Sequence, residues 1–236
     1  MRKVYVCMLS FTGRPDAETQ QALVMAAQDC MRNNIDMQFR LGVGDSILPR
    51  ARNRALMEFL KSDCDDLIFV DDDVVWEDGA LRRLLEHPVD IVGGLYPTRA
   101  EPVRFPVKRL EGGDFDPHTG LLEVRMMPTG FLRISRQALE HMIEANPELA
   151  YRDTYAPDKK AYALFWFDLR PGLEAQDGDL PEIWGEDFVF CDHWRKLGGK
   201  VYADTLLSFR HIGRKAYEGC YAATLPIASI LKEAAE

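Results

Sequence analysis

Three features of this 236-residue sequence predict an α/β fold with a mostly parallel central sheet flanked by helices. Strand-like apolar runs alternate with segments of helical spacing through the first hundred residues, and a β-α-β-α order favours parallel strands joined by right-handed crossovers. One of those runs, Leu67 to Val70, ends abruptly in three aspartates, as a buried strand does where it reaches the edge at which α/β sheets bind ligands. The composition, 47% hydrophobic and 28% charged, suffices for one core with a charged exterior. A single domain over 1–236 with a small antiparallel β portion completes the expectation.

Val4 to Leu9 reads as the first buried strand and Thr12-Gly13-Arg14 as the turn after it. From about Pro15, Leu23, Ala26, Ala27 and Cys30 keep helical spacing. Ile35 to Leu41 is the next strand, after which Asp45 or Ser46 is placed to cap a helix with Ala51, Ala55 and Phe59 on one face. Beyond Leu67 to Val70, Glu77 to Glu86 suits a helix and Val89 to Leu95 a strand. In the second half, β segments near Arg104 to Leu110 and Leu121 to Met127 flank a turn-rich stretch and predict a hairpin. Ser135 caps a helix that turns Ala138, Leu139, Met142 and Ile143 inward. The loop-rich stretch 147–181, with its aromatic run Tyr162 to Phe167, is a candidate mobile lid. A helix from Asp187 to Leu197, a strand from Val201 to Ala203 and a segment containing Pro226 follow.

Five cysteines, odd in number and without a CxxC pair, argue against a disulfide framework and against a cysteine zinc site. A reducing, cytoplasmic setting is therefore expected. No apolar run approaches the roughly 18 to 20 residues a bilayer requires, and the opening Met-Arg-Lys-Val-Tyr-Val enters strand-like sequence, so neither membrane insertion nor a leader is expected. Oligomeric state leaves no signal. A net charge of −9 argues against a general polyanion binder. Yet the charge is uneven: 63–78 holds eight acids and no base, while 99–109 and 195–215 lean basic.

Ile68-Phe-Val-Asp-Asp-Asp73 carries the strongest chemical signal. Three adjacent carboxylates repel one another unless a cation or donor groups neutralise them, and Mg²⁺ or Mn²⁺ prefers such oxygen ligands. A solvated acidic turn capping the next helix accounts for the same residues without a ligand. Four further segments bear on the choice: Pro49-Arg-Ala-Arg-Asn-Arg-Ala55, Pro128-Thr-Gly-Phe-Leu-Arg-Ile134, Trp184-Gly-Glu-Asp-Phe188 and Ser208-Phe-Arg-His211.

In that order and spacing, from Val4 to Gly213, the motifs resemble the GT-A glycosyltransferases, in particular family 2 enzymes, including bacteriophage-encoded ones. The resemblance implies a GT-A, Rossmann-like fold, with 1–100 as the nucleotide-sugar half, 101–215 as the acceptor and catalytic half, and 216–236 as a tail. It also implies a nucleotide-diphosphate sugar donor, a UDP-sugar foremost. Asp71 and Asp73 match the metal and donor carboxylates, Asp72 would reach ribose or sugar hydroxyls, and His211 matches a late histidine that completes the metal site. A neutral imidazole suits Mn²⁺ better than Mg²⁺. Arg52 and Asn53 fall on the pair that holds nucleotide or diphosphate, and Thr12, Gly13 and Arg14 fall where the nucleobase binds.

Glu186 and Asp187 match the family's Glu-Asp pair, with Asp187 the base that takes the acceptor proton in an inverting displacement. Trp184-Gly185 precedes them as in a Trp-Gly-x-x-Glu-Asp motif, two residues shorter here. A helix N-terminus also favours two acids through its dipole. Thr129 and Gly130 would lie beneath the acceptor, beside Trp184. That acceptor is a saccharide or lipid-linked glycan, or, by likeness to phage enzymes, a hydroxylated base in DNA. Arg99, Arg104, Lys108, Arg109, Arg195, Lys196, Lys200, Arg210, Arg214 and Lys215 would then form a basic rim, unless they are scattered solvated charges.

Rival readings come from other classes. Asp71-Asp-Asp73-Val-Val75 fits the nucleophile motif of haloacid-dehalogenase-like phosphatases, although those carry it on the first strand. A sugar-nucleotide pyrophosphorylase needs a Gly-rich basic first loop, which Ser10 to Arg14 does not supply. A non-catalytic sugar-nucleotide binder would have little use for Glu186 and Asp187.

Overall fold

Nine-residue strands at Arg2–Ser10 (β1) and Ile35–Val43 (β2), joined by the helix Ala17–Arg32 (α1), open the fold with a parallel pair. The computed structural model describes residues 1–154, 160–213 and 215–225. Along the chain follow Leu48–Phe59 (α2), Asp66–Asp71 (β3), Val74–Trp76 (β4), Ala80–Glu86 (α3), Ile91–Gly94 (β5), Lys108–Arg109 (β6), Phe115–Asp116 (β7), Leu121–Met126 (β8) and Phe131–Ser135 (β9). The remaining elements are Arg136–Ala145 (α4), Ala150–Arg152 (β10), Lys160–Tyr162 (β11), Asp168–Arg170 (β12), Glu182–Trp184 (β13), Glu186–Lys196 (α5), Val201–Asp204 (β14), Ser208–Ile212 (β15) and Ala216–Cys220 (β16).

The central sheet runs β2-β1-β3-β9-β5-β14-β8-β6, with β7 also on β8. β2, β1, β3, β5 and β14 point one way, β9 is reversed between β3 and β5, and β8 is reversed beside β14. The fold is thus α/β with a mostly parallel sheet and small antiparallel sheets, as the sequence predicts. The placement of β9 differs from the simplest expectation. Its buried Phe131, Leu132 and Ile134 serve both faces at the sheet centre, so a strand from the second half separates two from the first.

Because β3 is covered on both faces, its residues are apolar without alternation. Leu67 and Phe69 join the core under α2, α4 and α5, and Ile68 and Val70 join the core under α1 and α3. Asp16 caps α1 by accepting from the Glu18 and Thr19 amides, and Ser135 caps α4 by accepting from the Ala138 amide. At α2 the expectation is corrected. Ile47 stands at the cap without a side-chain bond, and Asp45 instead accepts from the Ile47 amide and pairs with Arg50. Similarly, α3 begins only at Ala80, after Gly79 at φ +82°, and 74–76 forms β4, paired with β15 outside the main sheet.

The 147–181 stretch is better anchored than a mobile lid. Among its described residues β10 pairs with β11, β12 pairs with β13 just beyond it, and Leu164 and Phe165 are fully buried. Trp166 and Phe167 remain half exposed. His87 is buried against Asp204 at 2.8 Å, beside Arg83. All five cysteines are free thiols. No helix among the described residues is long and apolar enough to cross a membrane. Pro226 and most of the 216–236 tail lie outside the described residues.

Candidate active site

Parallel strands deliver their C-terminal ends to one edge, and the candidate residues gather there. Leu9 of β1 is in register with Asp71 of β3, so the Thr12 to Arg14 turn and the aspartate run lie on the same edge. Gly13 adopts φ +67°, and a Cβ there would come within 2.9 Å of Val43 Cγ1, so this turn requires glycine. Reversed strand β9 brings its N-terminal end to the same edge, where the Gly130 carbonyl accepts from the Asp71 amide at 2.8 Å. A Cβ on Gly130 would meet Asp71 Oδ2 at 2.2 Å and Tyr96 Oη at 2.3 Å, so only glycine leaves both groups in place. Thr129 beside it is buried.

The turn after β3 distributes the three aspartates. Asp71 Oδ2 accepts from Tyr96 Oη at 3.2 Å, and Asp71 Oδ1 accepts from Arg52 Nη2 at 3.3 Å. Asp72 is half-buried, and its backbone carbonyl accepts from the Asp16 amide. Asp73 is joined to β15: its carbonyl accepts from the Ile212 amide at 2.8 Å, and the pairing of β4 with β15 sets Val74 opposite His211. His211 Nε2 consequently stands 3.2 Å from Asp73 Oδ1, while Arg99 pairs with the other carboxylate oxygen.

The hydrogen bonds of His211 define which atom it offers. Nδ1 lies 2.8 Å from the Pro97 carbonyl, which can only accept, so Nδ1 carries the proton. Burial, together with the nearby Arg99 charge, pushes the His211 pKa down and favours the neutral ring. Its Nε2 lone pair then faces a carboxylate oxygen. Two acceptors in that relation suit a shared cation, and an imidazole with a carboxylate is a donor set that fits Mn²⁺. Among the described residues, no three His, Cys, Asp or Glu side chains form a ready-made metal cluster. A cation here would be held by Asp73 and His211, with Asp71 behind them on Tyr96.

Across the edge, Gly185 starts α5 and puts Glu186 and Asp187 in its first turn. Glu186 is buried and its Oε1 accepts from Arg52 Nε at 3.3 Å. Asp187 Oδ1 accepts from the Phe188 amide at 2.8 Å, and burial together with the Glu186 charge pushes its pKa up to about 6. Arg52, only 2% exposed and with its guanidinium 5.1 Å over the Phe69 ring, therefore bridges the carboxylates of β3 and α5. Among the described residues its buried Nη1 has no hydrogen-bond partner.

Arg52 and Asn53 do different things despite their adjacency. Asn53 is fully buried, its Nδ2 donates to the Phe165 carbonyl at 2.8 Å, and its Oδ1 accepts from the Phe165 amide at 3.0 Å. Both halves of its amide thus hold 164–165 against α2. Phe165 stacks on Phe190 of α5 at 4.4 Å. Trp184 is buried, with the Arg170 guanidinium 6.0 Å from its ring. Sequence reasoning missed Tyr96, and saw Arg99 only as part of a basic rim. Both follow the C-terminal end of β5, where the rule of the strand edge could have directed attention. The rest of that rim is largely engaged by acids: Arg195 and Lys200 pair with Glu123, Lys196 with Asp192, Arg210 with Glu18 and Lys215 with Glu101. Arg214 lies outside the described residues.

No protein-family model matches the sequence, and no curated protein matches it. Among solved structures, A197 from STIV is similar in fold, with a TM-score of 0.51 at 19% identity over 90% of this chain and 86% of that chain. Weaker likenesses connect the chain to two glycosyltransferase structures. A glycosyltransferase involved in the glycosylation of the major capsid of PBCV-1 gives a TM-score of 0.34 at 11% identity, over 61% of this chain and 66% of that one. GalNAc-T7 with UDP, GalNAc and Mn²⁺ gives 0.43 at 12% identity, over 91% of this chain and 44% of that one. The chain thus spans less than half of the GalNAc-T7 chain.

Proposed function

We propose that the protein is a metal-dependent glycosyltransferase, moving a sugar from a nucleotide-diphosphate sugar to an acceptor hydroxyl with inversion, and with Asp187 as base. One observation carries the reading: the Asp73–His211 pair and the Glu186–Asp187 pair lie at one sheet edge, where Arg52 joins Asp71 to Glu186. A cation held by Asp73 and His211 would supply charge neutralisation for a diphosphate leaving group. The chain's own groups do the rest. Thr12 to Arg14 lie at the end of β1, on the same edge, where a nucleobase would sit. Asp187, with its carboxyl raised to about 6, is ionised at neutral pH yet basic enough to take a hydroxyl proton. Arg52 holds Glu186 in place beside it.

A saccharide acceptor fits better than DNA, since most of the basic side chains that would follow a phosphate backbone are paired with acids. The phosphatase reading loses ground because Asp71, its nucleophile, is held by Arg52 and Tyr96. Free thiols fit a reducing compartment. Thermal melting with UDP and Mn²⁺ tests the binding half of the reading, since a ligand specific to the folded state raises Tm. Wild type should be stabilised and Asp73→Ala should not. Equal responses from the two proteins would contradict the assignment.

A further inference from the structure

Asp73 already has a cation. Its Oδ2 pairs with the Arg99 guanidinium, while Oδ1 faces His211 Nε2 at 3.2 Å. Arg99 lies just beyond β5, in a segment fixed at its base by a bond from the Thr98 amide to the Arg104 carbonyl at 2.7 Å. Its side chain passes over Gly213, where a Cβ would come within 3.0 Å of Arg99 Cδ. Backbone and stem are therefore held, but the Arg99 side chain remains 44% exposed. Its charge is unlike that of Arg52, which is buried between two carboxylates. Among the described residues only one carboxylate holds Arg99, so a competing cation at Asp73 would set it free.

We propose that Arg99 is a displaceable internal counter-ion: it neutralises Asp73 while no divalent cation is bound, and is released to the donor's phosphates when one enters. This rests on the reading of Asp73 and His211 as a cation seat in a nucleotide-sugar site. The physical logic is competition followed by reuse. A carboxylate shared between guanidinium and metal binds each less tightly than it would alone. A freed guanidinium at the edge of an anion site presents the forked donors that suit phosphate oxygens. Metal and nucleotide binding then become coupled through one side chain, each favouring the other.

Calorimetric titration of Mn²⁺ alone, and then of UDP at saturating Mn²⁺, tests this in wild type, Arg99→Ala, Arg99→Lys and His211→Ala. Arg99→Ala should bind Mn²⁺ about two- to fivefold more tightly, the scale of a partly exposed ion pair. It should bind UDP in the presence of Mn²⁺ about tenfold more weakly, the scale of a lost charged hydrogen-bonded contact. Arg99→Lys, which keeps the charge, should restore most of the competition for Mn²⁺. Unchanged or weaker Mn²⁺ binding by Arg99→Ala, with His211→Ala still losing Mn²⁺, would overturn the counter-ion role and leave the functional reading standing. Mn²⁺ binding that His211→Ala does not weaken would overturn the cation seat itself, and the counter-ion role with it. Melting curves of each variant establish that it is folded before titration.

Discussion

Replacing Arg52 by Met probes how the two halves of the site are held together. The unbranched Met side chain retains packing over Phe69 but removes the charge that sits 3.3 Å from both Asp71 Oδ1 and Glu186 Oε1. The Glu186 side chain is 11% exposed and that of Asp71 27%, so one stranded charge is nearly dry and the other partly hydrated. Breaking a buried ion pair costs about 3 to 5 kcal/mol, and the long contacts and partial hydration of Asp71 place this case near 3. At about 2 to 4 °C per kcal/mol for a chain of this size, Tm should fall by about 6 to 12 °C. Adding Glu186→Gln removes the drier charge and should recover about 1 to 3 kcal/mol as a coupling energy in a double-mutant cycle. Differential scanning calorimetry of the four proteins reads both quantities. A single variant within about 1 kcal/mol of wild type, or strictly additive changes, would refute the argument that Arg52 neutralises a buried carboxylate.

Three other perturbations follow from the same geometry. Because burial lifts the Asp187 carboxyl from its ordinary 3.8 to about 6, the folded chain binds the extra proton between those values, and stability falls as pH rises through that window. Asp187→Asn should therefore melt higher than wild type at pH 7.5 and alike near pH 4, while turnover drops on the order of 10²- to 10⁴-fold; identical melting at pH 7.5 would contradict a buried carboxylate. Gly130→Ala forces a Cβ against Asp71 and Tyr96 and should cost about 1 to 3 kcal/mol in urea unfolding, with weaker Mn²⁺ binding; wild-type values for both would show that the two side chains move aside freely. Asn53→Ala removes both bonds to the Phe165 backbone, so unfolding free energy should fall by about 1 to 3 kcal/mol and proteolysis within 163–181 should accelerate. Unchanged cleavage would sink the tether role.

The parallel half of the fold was legible because strand and helix periodicities there depend on neighbouring residues. Val4 to Leu9 and Leu67 to Val70 carry apolar runs too short for helices, and Ser135 is a cap that acts locally. Long-range placement left no such trace. Nothing near Phe131 says that β9 will insert between β3 and β5, and nothing in Val74 to Trp76 says that it will pair with β15. That pairing is what sets His211 beside Asp73. Motif order located the carboxylates, but not their partners. Asn53 reads as a polar neighbour of Arg52, yet consecutive helix positions point about 100° apart, and the structure sends one into the site and the other to Phe165. Tyr96 and Arg99 are single residues after a strand, and only the folded edge shows what they face.

Release of nucleoside diphosphate from nucleotide sugars, followed by chromatography with Mn²⁺ or with excess chelator, tests the central claim most directly. Wild type should release diphosphate from at least one nucleotide sugar, a UDP-sugar foremost, only when Mn²⁺ is present. Asp187→Asn should bind the same donor but release far less. Release that persists undiminished in chelator, or that Asp187→Asn supports at the wild-type rate, would contradict a metal-assisted transfer with Asp187 as its base.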